Sequence, residues 1–148
     1  MIKVDVREAG GDGIQLKLKR IGRRVASPTG ALQKFGEYRK RRHKSIFDRQ
    51  VDPYDKPHAP LKPATIARKR RMGYDLRILH ATLRLRNSFT VVVSRRSIHW
   101  SYSAPYVKYH VSGTARMPKR SPIEDGRGLV ARDARRFKQE LAEWILEK

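Results

Sequence analysis

Asp52, Asp55 and His58 stand three apart, and carboxylates this near an imidazole are the raw material of a general acid–base pair. Pro53, Pro57 and Pro60 interleave them, however, and Asp and Pro are first of all turn formers, so these residues are expected to shape a loop. The other histidines, His43, His80, His99 and His110, are scattered, and none falls in an H-E-x-x-H or similar spacing that would set two ligands on one helix face. No serine sits in a G-x-S-x-G elbow, and Gly10-Gly11-Asp12-Gly13 matches neither a dinucleotide fingerprint nor a P-loop. The absence of cysteine excludes disulfides, thiolate ligands and thiol nucleophiles. The expectation is a protein with no catalytic residues, no metal, no cofactor and no small-molecule substrate.

What the chain has in excess is positive charge. Thirty-five Lys and Arg against 14 Asp and Glu give a formal charge of +21 on 148 residues, which a compact state must tolerate as self-repulsion. A polyanion or an acidic protein surface is the expected neighbour. Two dense runs are candidate contacts to an acidic partner or to DNA: Arg39, Lys40, Arg41, Arg42 and Lys44, and then Arg68, Lys69, Arg70 and Arg71. Each neutralised phosphate would release counterions and make binding salt-dependent, whereas a solvated helix face is the plainer reading of such runs. Trp100, Tyr102, Tyr106 and Tyr109 would suit a base-stacking platform, although packing in a core or between subunits is the commoner use of such residues.

The elements that must position these groups are legible from periodicity. Ile2, Val4 and Val6 alternate with polar residues and predict a short strand. Ile14, Leu18, Ile21 and Val25 recur at helical spacing, with Arg20, Arg23 and Arg24 towards the opposite face. Ser27-Pro28-Thr29-Gly30 interrupts, and a second helix carrying Leu32, Phe35 and Ile46 is expected to run to about Asp48. A proline-rich loop follows; Pro63 then suits a first helical position, with Leu61 and Ile66 placed as a hydrophobic staple, for a basic helix to about Met72. Thr82 is the expected cap of a brief helix through Ser88.

Phe89–Val93 and Ile98–Ser103 read as the strands of a hairpin turned at Arg95-Arg96-Ser97, and Pro105–Val111 as one or two helical turns. From Ser112 to Gly128 little is apolar, so residues 112–130 are expected to form a mobile arm; Arg116, Met117, Pro118, Lys119 and Arg120 are its candidate contacts to an adjacent subunit. Phe137, Leu141, Trp144 and Ile145 place a last helix over about Arg132–Leu146, with Asp133 near its positive end. The sum is one α+β domain over residues 1–148: a small antiparallel sheet with helices on one face and a long extended arm. No apolar stretch reaches about 18 residues and no signal peptide is visible, so the chain is expected to act where it is made, away from membranes.

Three segments carry a resemblance. Asp52 to Lys69 is similar to a D-P-x-G-x-x-W-x-P-L-x-P-x-T-x-x-x-K stretch, Ile78 to Phe89 to I-L-x-x-T-G-x-L-x-x-S-I, and Ala104 to Gly113 to V-x-Y-A-x-x-H-x-x-G. Together and in order, over about residues 50–115, they resemble the phage virion morphogenesis family, the tail completion or neck proteins of Mu-like and related tailed phages. Here His58 replaces the usual Trp and Leu83 a Gly, and the R-P-F-L-G segment survives only as Arg120-Ser121-Pro122 with Gly126 and Gly128 beyond. The resemblance implies a structural subunit of the virion, made in the host cytoplasm, forming a homo-oligomeric ring, hexameric by analogy, at the head–tail junction or the top of the tail. Its partners would be other neck and tail proteins, with phage DNA as a further contact. The rival reading is a basic nucleic-acid-binding module.

Overall fold

The computed structural model describes residues 11–124 and 128–146; the predicted first strand, Ile2 to Val6, lies outside them. Six helices and one hairpin follow in the order α1 (Gly11–Ala26), α2 (Thr29–Arg49), α3 (Pro63–Arg71), α4 (Arg84–Asn87), β1 (Phe89–Val93), β2 (Ile98–Tyr102), α5 (Val107–Ser112) and α6 (Ala131–Leu146). The α+β class is the one expected from the sequence.

α2 is the axis of the molecule. Its sequence buries Leu32, Phe35, Ile46 and Phe47 at helical spacing, and Gln50 stops it in a left-handed conformation, φ 56°, its N–H turned back to the last carbonyls. The Gln50 side-chain oxygen then accepts from the Ile78 N–H at 2.9 Å, so the stop also fixes a distant loop. One flank of α2 receives α6, where the Phe35 and Phe137 rings lie 5.1 Å apart. The other flank receives the hairpin, paired Phe89↔Tyr102, Val91↔Trp100 and Val93↔Ile98. Those six residues are partly buried against the helix, and the alternate ones face outward. Gly36 makes the approach possible: a methyl there would sit 3.3 Å from Val91 Cγ1. Ile46, Phe47, Leu85 and Ala104 form the apolar core, flanked by Leu79, Tyr102, Tyr106 and Val107. A fully buried side chain the size of Phe47 contributes roughly 1.5–3 kcal/mol.

Two expectations are corrected. Thr82 does not cap α4; Leu83 holds the cap position in a left-handed conformation, φ 58°, with no side-chain hydrogen bond to the helix. This is the position at which the resembled motif has Gly, the residue that adopts such a backbone freely. Leu83→Gly should therefore raise stability by about 0.5–1 kcal/mol, relief of about 1–2 kcal/mol of left-handed strain being offset in part by the freer unfolded chain. Leu83→Ala, which keeps the strain, should gain nothing; urea midpoints of the three proteins check this.

The second correction concerns residues 112–124, which have a reason to pack that a count of apolar side chains misses. Thr114 bridges to Met117, and Arg120 is buried, donating through Nε and Nη2 to the Ala59 and Pro60 carbonyls at 2.8 and 2.7 Å. One guanidinium thereby satisfies two adjacent carbonyls at the end of the proline-rich loop. Ser121 and Pro122 are buried beside it.

Candidate assembly surface

The proline-rich loop is shaped by its acids, as its sequence implied. Asp52 Oδ1 accepts the N–H groups of Tyr54 and Lys56, and Val51 bridges to Pro57. Asp55 lies in the left-handed region at φ 63°, bound by Arg42, Arg49 and Arg132. Desolvation pushes its carboxyl up, but the hydrogen bonds from Arg132 and Arg42 outweigh this and hold it down at about 2. A carboxylate so held is a poor proton acceptor near neutral pH. His58 is half-buried, its pKa lowered by burial. Asp52, which lines the same cleft of about 610 Å³ with Lys56, Lys119, Ser121 and Val130, acts to raise that pKa but is outweighed by burial, and its Oδ1 is already engaged by the Tyr54 and Lys56 N–H groups. Among the described residues no three His, Asp or Glu cluster as metal ligands would.

The candidate cations divide sharply. Arg39 is only 4% exposed; it donates to both Glu124 oxygens at 2.7 and 2.9 Å, pairs with Asp133, and its guanidinium lies 4.7 Å from the Trp100 ring centre. Arg42 is buried against the Pro53 carbonyl and Asp55. Lys69 is buried and donates to the Asp75 and Arg77 carbonyls, and burial lowers its pKa. With Arg120 these are internal cations, out of reach of DNA or a partner, and they correct the reading of both basic runs as continuous contact surfaces.

Lys40, Arg41, Lys44, Arg68, Arg70 and Arg71 remain at the surface, Lys40 beside Glu37, and so do Arg116, Pro118 and Lys119, with Met117 partly covered. The aromatic residues split likewise. Trp100 serves Arg39, Tyr102 bonds His43, Tyr106 packs on the core, and Tyr109 is exposed beneath Lys108.

The missed signal is in α2. Arg39 and Arg42 continue the stripe of Leu32, Phe35 and Ile46 at steps of three and four, so helical spacing alone marks them as inward-facing while Lys40, Arg41 and Lys44 point away. Glu124 and Asp133 were readable as charges but not as partners, being 85 and 94 residues distant.

The apolar surface is also uneven. A groove of about 230 Å³ is lined by Leu61, Ile78, Leu79, Leu83, Tyr106 and Met117, with Arg68 and Arg84 on its wall. Met72 and Leu76 are exposed, and α1 shows most of its aliphatic side chains to solvent. Among the described residues no helix is long and apolar enough to cross a membrane.

Compared with known proteins, the chain matches the model of the phage virion morphogenesis family over residues 11–142. No curated protein and no solved structure matches it.

Proposed function

The chain belongs to the phage virion morphogenesis family, a phage virion structural or assembly role follows, and from that premise we propose that it is a ring-forming subunit at the head–tail junction or the top of the tail. The supporting observation is how its charge is divided. Arg39, Arg42, Lys69 and Arg120 consolidate the body, while a second set of cations and several apolar side chains face outward. A surface both apolar and cationic suits docking to protein, since apolar side chains gain nothing against a phosphate backbone.

In this reading the subunits associate head to tail, closing a ring, and the segment 113–124 carries the contact to the next copy through Arg116, Met117, Pro118 and Lys119. Arg120 holds the root of that segment on Ala59 and Pro60 and so sets its direction. Cations left on the outside meet acidic neck or tail proteins, or DNA in the channel. The chain performs no chemistry; its function is geometric.

Two measurements separate this from the nucleic-acid reading. Light scattering of the purified protein should give a defined oligomer, and gel shift on plain duplex DNA should show only weak binding. A monomer that binds DNA tightly, with affinity falling steeply in salt, would favour the rival.

A further inference from the structure

Among the described residues, α1 meets the body near its C-terminal end. Ile21 and Arg24 are partly covered; Arg24 donates to the Trp144 carbonyl at 3.1 Å and lies 5.3 Å from that ring, which itself covers Gly30. Every residue from Gly13 to Arg20 is exposed. Ile14, Leu16 and Leu18 are each 62% exposed and Val25 57%, and Ile14, Leu18 and Val25 share one face with Ile21. A helix of 16 residues is marginal in water without packing, so this one has the pattern of a buried helix and lacks, among the described residues, the contact that the pattern implies.

Charge decides what fits. Lys17, Lys19, Arg20, Arg23 and Arg24 make α1 strongly cationic. A second copy of this chain is a poor receiver, because most of its described carboxylates already serve its own cations, Glu37 with Lys40, Asp48 with Arg86, Asp55 with Arg42, Asp75 with Arg77, Glu124 and Asp133 with Arg39, Glu140 with Arg136, and the remaining Asp52 and Glu143 do not make an acidic rim. DNA would satisfy the charge and leave the aliphatic stripe wet. A lipid surface is disfavoured by the lack of any aromatic anchor in Gly11–Ala26.

We infer that α1 is a docking helix, which lays its Ile14, Leu18 and Val25 stripe in an apolar groove, rimmed by carboxylates, on a different protein of the same particle. Aliphatic anchors supply affinity and the basic flank sets orientation against the acidic rim. This rests on the assembly role above only for where the partner is found.

The test places a photoreactive benzoylphenylalanine at Leu18 of the full-length chain during phage production, with a second preparation carrying it at Ser101 on the outer hairpin face. Irradiated particles and assembly intermediates are digested and the cross-linked peptides identified. The expected result is a Leu18 cross-link to an acidic segment of another particle protein, reduced at least tenfold by Ile14→Asp, whose helicity and melting midpoint stay those of the parent because Ile14 is exposed. Cross-links confined to the same chain, residues 1–10 or another copy included, would overturn the proposal, as would cross-links to DNA or lipid, or none from Leu18 in particles that hold the protein. Absence of the protein from all particles and intermediates would instead count against the assembly role.

Discussion

Arg39→Met is expected to destabilise the protein by about 3–5 kcal/mol, the usual result of removing one partner from a buried ion pair. The substitution keeps most of the side-chain volume, so the loss is electrostatic. Glu124 and Asp133 are nearly as buried as the arginine, and without it two carboxylates face each other in a medium that solvates neither. Tyr38 still donates to Asp133 at 2.6 Å, which is too little to compensate. Adding Glu124→Gln and Asp133→Asn should restore at least about 2 kcal/mol, because no buried charge is then left unpaired while the Tyr38 bond survives and the half-exposed Arg132 beside residue 133 keeps its contact with water and Asp55. Urea unfolding followed by fluorescence in a Trp144→Phe background reports the site, since the remaining Trp100 indole lies against the missing guanidinium. A loss below about 1 kcal/mol would mean the cluster is tolerated rather than stabilising. With domain stabilities of roughly 5–15 kcal/mol, such a variant would lose assembly through unfolding, and a defect in it would be misread as lost DNA contact.

That hazard shows how far the sequence could be read. Helix and hairpin boundaries followed from spacing because α2, α6 and the β1–β2 pair each bury one face, and burial imprints a period. Spacing does not say what covers a face. Ile14, Leu18, Ile21 and Val25 predict a helix and α1 is one, yet most of that stripe is uncovered by the described residues, since the pattern is the same whether the cover is intramolecular or another protein. Composition misled most where a polar side chain replaces apolar contact. Arg120 docks residues 112–124 through two loop carbonyls, and no apolar count detects that. The backbone of Leu83 was hidden for another reason: a left-handed leucine is held by its surroundings against its own preference, and only the glycine in the resembled motif pointed to it.

His43 gives the second large effect, as an acid sensitivity. It is 5% exposed, stacks on Phe89 at 4.2 Å, and holds Tyr102 through Nδ1 at 2.9 Å and the Arg86 carbonyl through Nε2 at 3.0 Å. A carbonyl only accepts, so Nε2 carries the proton and Nδ1 accepts the tyrosine hydroxyl. Protonating Nδ1 would reverse that bond and put a cation among Arg39, Arg86 and Lys44. Burial, reinforced by those cations and opposed by the Arg86 carbonyl bond, lowers the pKa from 6.5 to about 4.

The unfolded state thus takes up a proton near pH 6.5 that the folded state refuses until about pH 4, and stability falls across that window as pH decreases. The total is about 3 kcal/mol, at roughly 1.4 kcal/mol for each unit of pKa difference. His58 and His110, also lowered by burial, act in the same direction, whereas Asp55 and Asp75, both at about 2, matter only at more acid pH. His43→Gln should be less stable at pH 7, having lost the ring stack, but its stability should change by about 2–3 kcal/mol less between pH 7 and 4.5. Equal slopes in parent and variant would show that the imidazole is not what acid attacks. Since His43 joins α2 to the hairpin through Tyr102 and Phe89, the surface that acid loosens first is the one these elements support.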